Sequence, residues 1–157
     1  MKIAIIGMGL IGGSLCKAAC RAGYDAVGFD RNDPLDIADS DLILVALPLD
    51  GVIPWFKEHC SEFKQGAVVV DTCGVKEGIC REMKAIGAGK PWTFVGGHPM
   101  AGKEVSGYAN STADLFIGKS MVLTPEGGEW SDANGDRAEF LLLVRRAAEI
   151  RRDKKVK

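Results

Sequence analysis

The sequence predicts an α/β domain with a mainly parallel sheet. Two observations predict it: short β-branched runs bounded by Gly, Pro or Asp alternate with segments of helical periodicity, and 157 residues suffice for one domain with a real core. Hydrophobic residues make up 46% and charged residues 26% of the chain, and the formal net charge is −1. This balance is typical of globular proteins and does not favour nucleic acid as a partner.

Six strands are predicted, in the runs KIAII (2–6), AVGFD (26–30), DLILVAL (41–47), AVVVD (67–71), TFVGG (93–97) and SMVLTP (120–125). Helices are predicted over residues 10–22, 52–63 and 76–88. Pro54 is expected in the opening turn of the second helix, where a missing N–H is tolerated. A fourth helix is predicted from residue 137, with an apolar stripe of Phe140, Leu141, Val144, Ala148 and Ile150.

The second crossover is unusually short. Only residues 31–40 connect the second strand to the third, which is close to the minimum for a return to a parallel neighbour. We therefore expect this helix to be reduced to a stub or absent. The predicted organisation is a dinucleotide-binding domain over 1–130, followed by a loop, a helix and a basic tail over 131–157.

Leader and membrane signals are not evident. The N-terminus has no signal-peptide pattern, and no apolar run reaches the roughly 18 to 20 residues that span a bilayer. We expect a cytoplasmic protein without a membrane partner. Five cysteines without a CxxC pair predict free thiols and no metal site.

A glycine motif follows the first strand. Gly7, Gly9 and Gly12 form G-x-G-x-x-G at the start of the first predicted helix. In this context the glycines allow a tight turn, close approach of a pyrophosphate and close helix packing, which indicates a Rossmann-like, doubly wound fold. The N–H groups at Leu10 and Ile11 then face the phosphates.

The remaining cofactor contacts are expected from other strand ends. Asp30, 18 residues past Gly12, is placed to accept from the ribose hydroxyls and to repel a 2′-phosphate, so we expect NAD. Arg31 could contact that phosphate and leaves NADP open. Leu47 and Pro48 follow the third strand and are expected to line the cofactor cleft.

The substrate-binding site is predicted at the carboxyl ends of the third, fourth and fifth strands. His98, in the stretch GGHPMAG, is the only histidine there. It could take a proton from a substrate hydroxyl while a hydride leaves the same carbon. Asp71, which ends the fourth strand, is interpreted as a turn or cap residue rather than a catalytic acid.

The stretches GMGLIGGSL, DTCGVK and FVGGHPMAGKEVSGYANSTADLFIGKSMVLTP closely resemble the N-terminal domain of prephenate and arogenate dehydrogenases of tyrosine biosynthesis. The resemblance runs from Lys2 to about Pro125. It implies NAD(P)-dependent oxidative decarboxylation of prephenate or arogenate, in which His98 binds the ring hydroxyl and helps remove its proton. Lys76 matches a lysine of the family, which either orients its turn or contacts the substrate.

Two departures from the family pattern stand out. Gly74 occupies a position where many members have a serine whose hydroxyl helps hold the histidine, so this role is vacant or passes to water, Thr72 or Cys73. Family members also continue into an all-helical domain that forms the dimer and supplies cationic groups for the substrate carboxylates. In a homodimer, the candidates for those groups are Arg145, Arg146, Arg151 and Arg152 of a neighbouring chain.

Two functions follow as hypotheses. The first is a prephenate or arogenate dehydrogenase. The second is a non-catalytic NAD-binding module related to that family. Another short dehydrogenase or imine reductase would share the glycine motif but is not expected to have H-P-M-A-G.

Overall fold

The computed structural model describes residues 1–125 of the chain. The strands are β1 (Lys2–Ile6), β2 (Asp25–Phe29), β3 (Leu42–Val45), β4 (Val68–Asp71), β5 (Thr93–Pro99) and β6 (Met121–Pro125). The helices are α1 (Leu10–Arg21), α2 (Leu49–His59) and α3 (Glu77–Ile86), with a short 3-10 helix at Tyr108–Asn110. The helix predicted from residue 137 and the boundary predicted at residue 130 lie outside the described residues.

All six strands join one sheet in the order β2-β1-β3-β4-β5-β6. The pairings from β2 to β5 are parallel, and β6 is antiparallel to β5. The predicted α/β class and mainly parallel sheet are therefore confirmed. Because the chain passes from β2 across β1 to β3, the strand order reverses there, and the carboxyl ends of β1 and β3 flank the switch point.

The sheet has a core on each face. On one face, α1 and the loop after β5 cover the strands, with a buried set of Ile3, Ile5, Leu15, Ala19, Leu115 and Phe116. On the other, α2, α3 and the connection between β2 and β3 contribute Ile37, Val52, Phe56, Ile79 and Met83. The central strands β3 and β4 are buried along their whole length, which explains their continuous apolar sequence.

The connection from β2 to β3 contains no helix, as its length predicted. Ile37, 1% exposed, is the side chain that anchors it in the core. On the same face Val27 of β2 remains 51% exposed, because no helix covers this face of the edge strand. The reduced crossover therefore leaves the edge of the sheet open beside the expected adenosine site.

Helix α2 differs from its predicted bounds. It begins at Leu49, directly after Pro48, and ends at His59 rather than at Phe63. Pro54 thus lies inside the helix, and its placement in the opening turn was wrong. The residue is on the exposed side, where water can satisfy the carbonyl that loses its N–H partner. Phe63 still packs edge-on against Phe56, so the predicted apolar contact survives beyond the helix end.

Strand β5 continues two residues beyond its predicted end at Gly97. The segment Gly97 to Pro99 pairs with β6, which extends the strand through Pro99. His98 lies opposite Val122 in this antiparallel pairing. The histidine therefore projects from a paired strand and not from a free loop.

Candidate active site

The glycine loop between β1 and α1 has the geometry of a phosphate-binding turn. Gly7 has φ +89°, and its N–H donates to the carbonyl of Phe29 at 2.8 Å. A side-chain carbon at Gly12 would lie 2.0 Å from the carbonyl oxygen of Gly7, so the helix can pack this closely only with glycine there. A side-chain carbon at Gly9, in contrast, has no atom within 4 Å. The motif thus combines two packed glycines with one that faces open space.

The start of α1 presents unpaired donors to that space. The turn closes with a hydrogen bond of 3.0 Å from the N–H of Gly13 to the carbonyl of Gly9, and no side chain caps the helix. The earlier N–H groups, including those of Leu10 and Ile11, have no partner within the helix. These groups and the positive end of the helix dipole suit a diphosphate.

The switch point brings the two neighbouring turns together. The Leu47 side chain would approach a side-chain carbon at Gly7 to 3.0 Å, so it packs on the glycine loop. Pro48 is exposed and forms the N-cap of α2. The structure therefore places Leu47 against the glycine loop and leaves Pro48 exposed at the start of α2.

The turn after β2 carries two carboxylates. Oδ1 of Asp30 accepts from the N–H of Arg31 at 2.9 Å, and the N–H of Asp30 donates to Oδ2 of Asp33 at 2.7 Å. Asp30, Arg31 and Asp33 are all exposed. Asp33 was not singled out in the sequence. Its signal was the Asp-x-x-Asp spacing, which is typical of a turn closed by a side chain.

His98 lies at the carboxyl end of β5 with its ring against Gly74. A side-chain carbon at position 74 would stand 3.2 Å from Cε1 and 3.6 Å from each ring nitrogen. The residue is half-buried, and its Nδ1 is a buried atom without a hydrogen-bond partner among residues 1–125. A buried polar atom of this kind is uncommon and marks a place where a partner group is expected.

Thr72 and Cys73 do not fill the role left by Gly74. The hydroxyl of Thr72 donates to the carbonyl of Val45 at 3.3 Å, and the thiol of Cys73 lies 3.7 Å from the carbonyl of Leu47. The Thr72 side chain thus bonds to the end of β3, and the Cys73 side chain lies beside the turn that follows β3. Neither is a partner of His98.

Lys76 forms an ion pair with Asp71. The carboxylate is fully buried and the lysine side chain is only 12% exposed. Asp71 also accepts from the N–H of Cys73 at 3.0 Å, which agrees with its interpretation as a turn residue, and from the N–H of Gly97 at 3.2 Å. The contacts to Lys76 and Gly97 were missed, because the only sequence signal was a carboxylate at the end of a run of three valines.

The thiols around this pair are held in the protonated form. Burial, and then the charge of Asp71, raise the pKa of Cys73 and of Cys80, and the ammonium of Lys76 partly offsets the increase. A protonated thiol is a weak nucleophile. The local electrostatics therefore do not favour covalent catalysis by either cysteine.

The glycine loop and His98 both lie at the carboxyl ends of parallel strands. The carboxyl ends of β1 and β5 are three strand positions apart, which corresponds to about 14 Å. An extended dinucleotide that begins at the glycine loop can cross this distance. The glycine loop and His98 therefore lie at the same end of the parallel strands.

Comparison with known proteins decides the family. A model of the prephenate dehydrogenase nucleotide-binding domain matches residues 7–142, which is most of the chain. The chain belongs to the prephenate dehydrogenase family. None of the helices in residues 1–125 has the length and hydrophobicity of a membrane span.

Several prephenate dehydrogenases resemble the chain in sequence. One from Lactococcus lactis subsp. cremoris is 29% identical over 163 residues, which cover 90% of this chain and 46% of the relative. A probable prephenate dehydrogenase from Streptomyces niveus is 35% identical over 138 residues, covering 79% of this chain and 38% of the relative. The chain therefore spans less than half the length of these curated relatives.

Solved structures of the family show the same architecture. Arogenate dehydrogenase from Synechocystis superposes with a TM-score of 0.75 at 27% identity, covering 96% of this chain and 57% of that one. Prephenate dehydrogenase from Aquifex aeolicus, in complex with hydroxyphenyl propionate and NAD+, gives a TM-score of 0.72 at 26% identity, with coverage of 96% and 57%. These likenesses confirm the Rossmann-like fold and the nucleotide-binding character of the domain.

Proposed function

We propose that this domain binds NAD and acts in the oxidative decarboxylation of prephenate or arogenate, with His98 on the substrate hydroxyl. The observation that carries the proposal is the position of His98, half-buried at the same sheet edge as the glycine loop, with Nδ1 lacking a partner among residues 1–125. Membership of the prephenate dehydrogenase family supports the substrate class.

The residues around the glycine loop fit NAD. The open space at Gly9 and the free N–H groups at the start of α1 suit the pyrophosphate. The carboxylates of Asp30 and Asp33 would repel a 2′-phosphate, which favours NAD over NADP, although Arg31 beside them offers a cation. When bound, the nicotinamide supplies a hydride acceptor. The NAD+ in the Aquifex aeolicus complex supports this assignment.

His98 supplies the proton chemistry in this proposal. A neutral imidazole can accept the proton of the substrate hydroxyl as the carbonyl forms. The carboxyl group leaves as carbon dioxide, and the ring becomes aromatic, which drives the reaction forward. Because β5 is paired with β6 on one side and anchored on Asp71 on the other, the imidazole projects from rigid backbone.

Lys76 has a supporting role in this proposal. Its ammonium group is held by Asp71 beneath the turn and is mostly shielded from solvent. We assign Lys76 to the orientation of the turn rather than to contact with the substrate. The carboxylate-binding groups then come from residues beyond 125 or from a second copy of the chain in a homodimer.

A second function is favoured by one observation. Gly74 offers no hydroxyl to His98, and the side chains of Thr72 and Cys73 bond elsewhere. A histidine without an orienting partner suits a module that binds NAD without turnover. The two candidates share the cofactor site and differ only in catalysis.

Titration and turnover separate these candidates. The full chain is titrated calorimetrically with NAD and NADP and then assayed for NADH formation with prephenate and with arogenate. The variant His98→Asn is compared with His59→Asn, which changes the other histidine of the chain, at the far end of α2. We expect NAD to bind to all three proteins, and any turnover to fall by about 100-fold or more only in His98→Asn.

Each outcome has a clear meaning. NAD binding without turnover supports the second function. Turnover that survives His98→Asn rules out the role of His98. The absence of NAD binding contradicts both functions.

A further inference from the structure

The carboxylate of Asp71 continues the link between β4 and β5 where their backbone pairing stops. The parallel register runs Val68 to Thr93, Val69 to Phe94 and Val70 to Val95, and goes no further. Beyond it, Oδ1 of Asp71 accepts the N–H of Gly97 at 3.2 Å. A side chain therefore bridges the two strands at the point where the cleft opens.

The other carboxylate oxygen binds the turn that follows β4. Oδ2 accepts from the N–H of Cys73 at 3.0 Å and from the ammonium of Lys76, which is the N-cap residue of α3. Asp71 thus joins three segments: strand β5, the turn at 72–75 and the start of α3. Because the carboxylate is fully buried, each of these donors compensates for its lost hydration.

The imidazole of His98 lies between two of the segments that Asp71 joins. His98 follows Gly97 directly along β5, and the ring of His98 lies beside Gly74, the residue after Cys73. We propose that Asp71 is the positioning residue of His98. Asp71 fixes the backbone of the histidine through its bond to Gly97, and it fixes the turn that faces the ring through its bond to Cys73. Lys76 neutralises the buried charge of Asp71. The functional meaning of this inference rests on the proposed role of His98. The hydrogen bonds of Asp71 do not depend on that role.

A variant that keeps the shape of Asp71 tests the inference. Asp71→Asn retains an oxygen for one backbone N–H but loses the ion pair and cannot accept at two oxygens. The double variant Asp71→Asn/Lys76→Gln leaves no buried charge unpaired and is made in case the single variant does not fold. Asp39→Asn is the control, since this carboxylate pairs with Lys2 but its side chain is 82% exposed.

The readout is the NMR spectrum of the two histidine rings in the full chain. The ring of His98 reports the proposed effect. The ring of His59 is an internal reference, because it lies at the far end of α2 and pairs there with Glu62. In Asp71→Asn, or in the double variant, we expect the His98 ring signals to shift or to split into several forms. We expect His59 to remain unchanged, and Asp39→Asn to change neither ring.

Two results overturn the inference. One is a folded variant in which the His98 ring signals match those of the unsubstituted chain. The other is exchange of the Gly97 amide hydrogen with solvent, in the unsubstituted chain, at the rate of an unprotected amide, since the bond to the buried carboxylate of Asp71 should slow this exchange. This second measurement does not depend on whether any variant folds.

The cofactor and turnover assays distinguish this inference from the proposed function. We expect NAD affinity in Asp71→Asn to stay within about threefold of that of the unsubstituted chain, because the glycine loop is untouched. If turnover is measurable, kcat should fall by about tenfold or more, because the proton acceptor is misplaced, with a smaller change in KM. If His98→Asn leaves turnover intact, the proposed function fails while the ring-signal result still decides the role of Asp71.

Discussion

The ring of His98 lies in the space into which a side chain at Gly74 would project. A side-chain carbon there would be 3.2 Å from Cε1, which is tighter than most carbon contacts, so the ring would have to move by a few tenths of an ångström. Since Nδ1 of His98 has no hydrogen-bond partner within residues 1–125, no such bond opposes this movement. The nature of residue 74 therefore controls both the space and the hydrogen bonding of the histidine.

Gly74→Ser is expected to give His98 the partner that its Nδ1 lacks. Gly74→Ala adds the same carbon without the hydroxyl and is the matched control. A net hydrogen bond contributes about 1 kcal/mol, so the serine variant should be more stable than the alanine variant by about that amount in urea unfolding. The difference should vanish when both substitutions are made in His98→Asn. Equal stabilities of the serine and alanine variants in the original background would contradict the prediction.

Alanine at Gly9 should weaken NAD binding, whereas alanine at Gly12 should destabilise the fold. Gly9→Ala meets no atom within 4 Å, so the fold should keep its melting temperature, while the methyl group blocks the approach of the pyrophosphate. We expect NAD affinity to fall by about tenfold or more, as measured by calorimetry. Gly12→Ala would place a carbon 2.0 Å from the carbonyl of Gly7, and this overlap should lower the free energy of unfolding by about 3 kcal/mol or more. A loss of stability in Gly9→Ala equal to that in Gly12→Ala would show that the glycine loop is not open to a ligand.

The strands and the glycine loop could be predicted because their signals are local. Runs such as VVV and LILV predicted strands, which the structure buries along their whole length, and the glycine spacing marked the turn before α1. The absence of a full helix between β2 and β3 could also be predicted, because the connection has too few residues. These features depend on short stretches of chain, so tertiary context did not alter them.

The features that sequence missed depend on neighbours distant along the chain. His98 was expected just beyond a strand, but its pairing with Val122 of β6 keeps it within β5. The bond between Asp71 and Gly97 joins residues 26 positions apart and forms only because β4 and β5 stop pairing. The start of α2 was misplaced because a proline inside a helix is unfavourable in general, and the exposure of Pro54 that makes it tolerable is a tertiary property.

Asp30 should determine the choice between NAD and NADP. Asp30→Asn removes one of the two carboxylates at this corner and leaves Arg31 free to bind a 2′-phosphate. We expect the ratio of NAD affinity to NADP affinity to fall by about tenfold, as measured by parallel calorimetric titrations. Asp36→Asn removes the same charge from an exposed site in the same connection and should leave the ratio unchanged.

Arg31 provides a second check on the same site. If the gain in NADP affinity comes from Arg31, then Asp30→Asn/Arg31→Ala should lose it again. An unchanged ratio in Asp30→Asn would mean that Asp30 does not contact the adenosine ribose.

The cysteines of α1 should differ strongly in reactivity. Burial, followed by the neighbouring Cys20, raises the pKa of Cys16 to about 11, so at pH 8 only about one part in a thousand of this residue is thiolate. Cys20 is the exposed member of the five free cysteines. Iodoacetamide at pH 8, followed by peptide mass spectrometry, should therefore label Cys20 first and Cys16 far more slowly. In Cys20→Ser, Cys16 should remain slow, because burial is the largest cause of its raised pKa. Rapid labelling of Cys16 in that variant would show that the charge of Cys20, and not burial, keeps the thiol protonated.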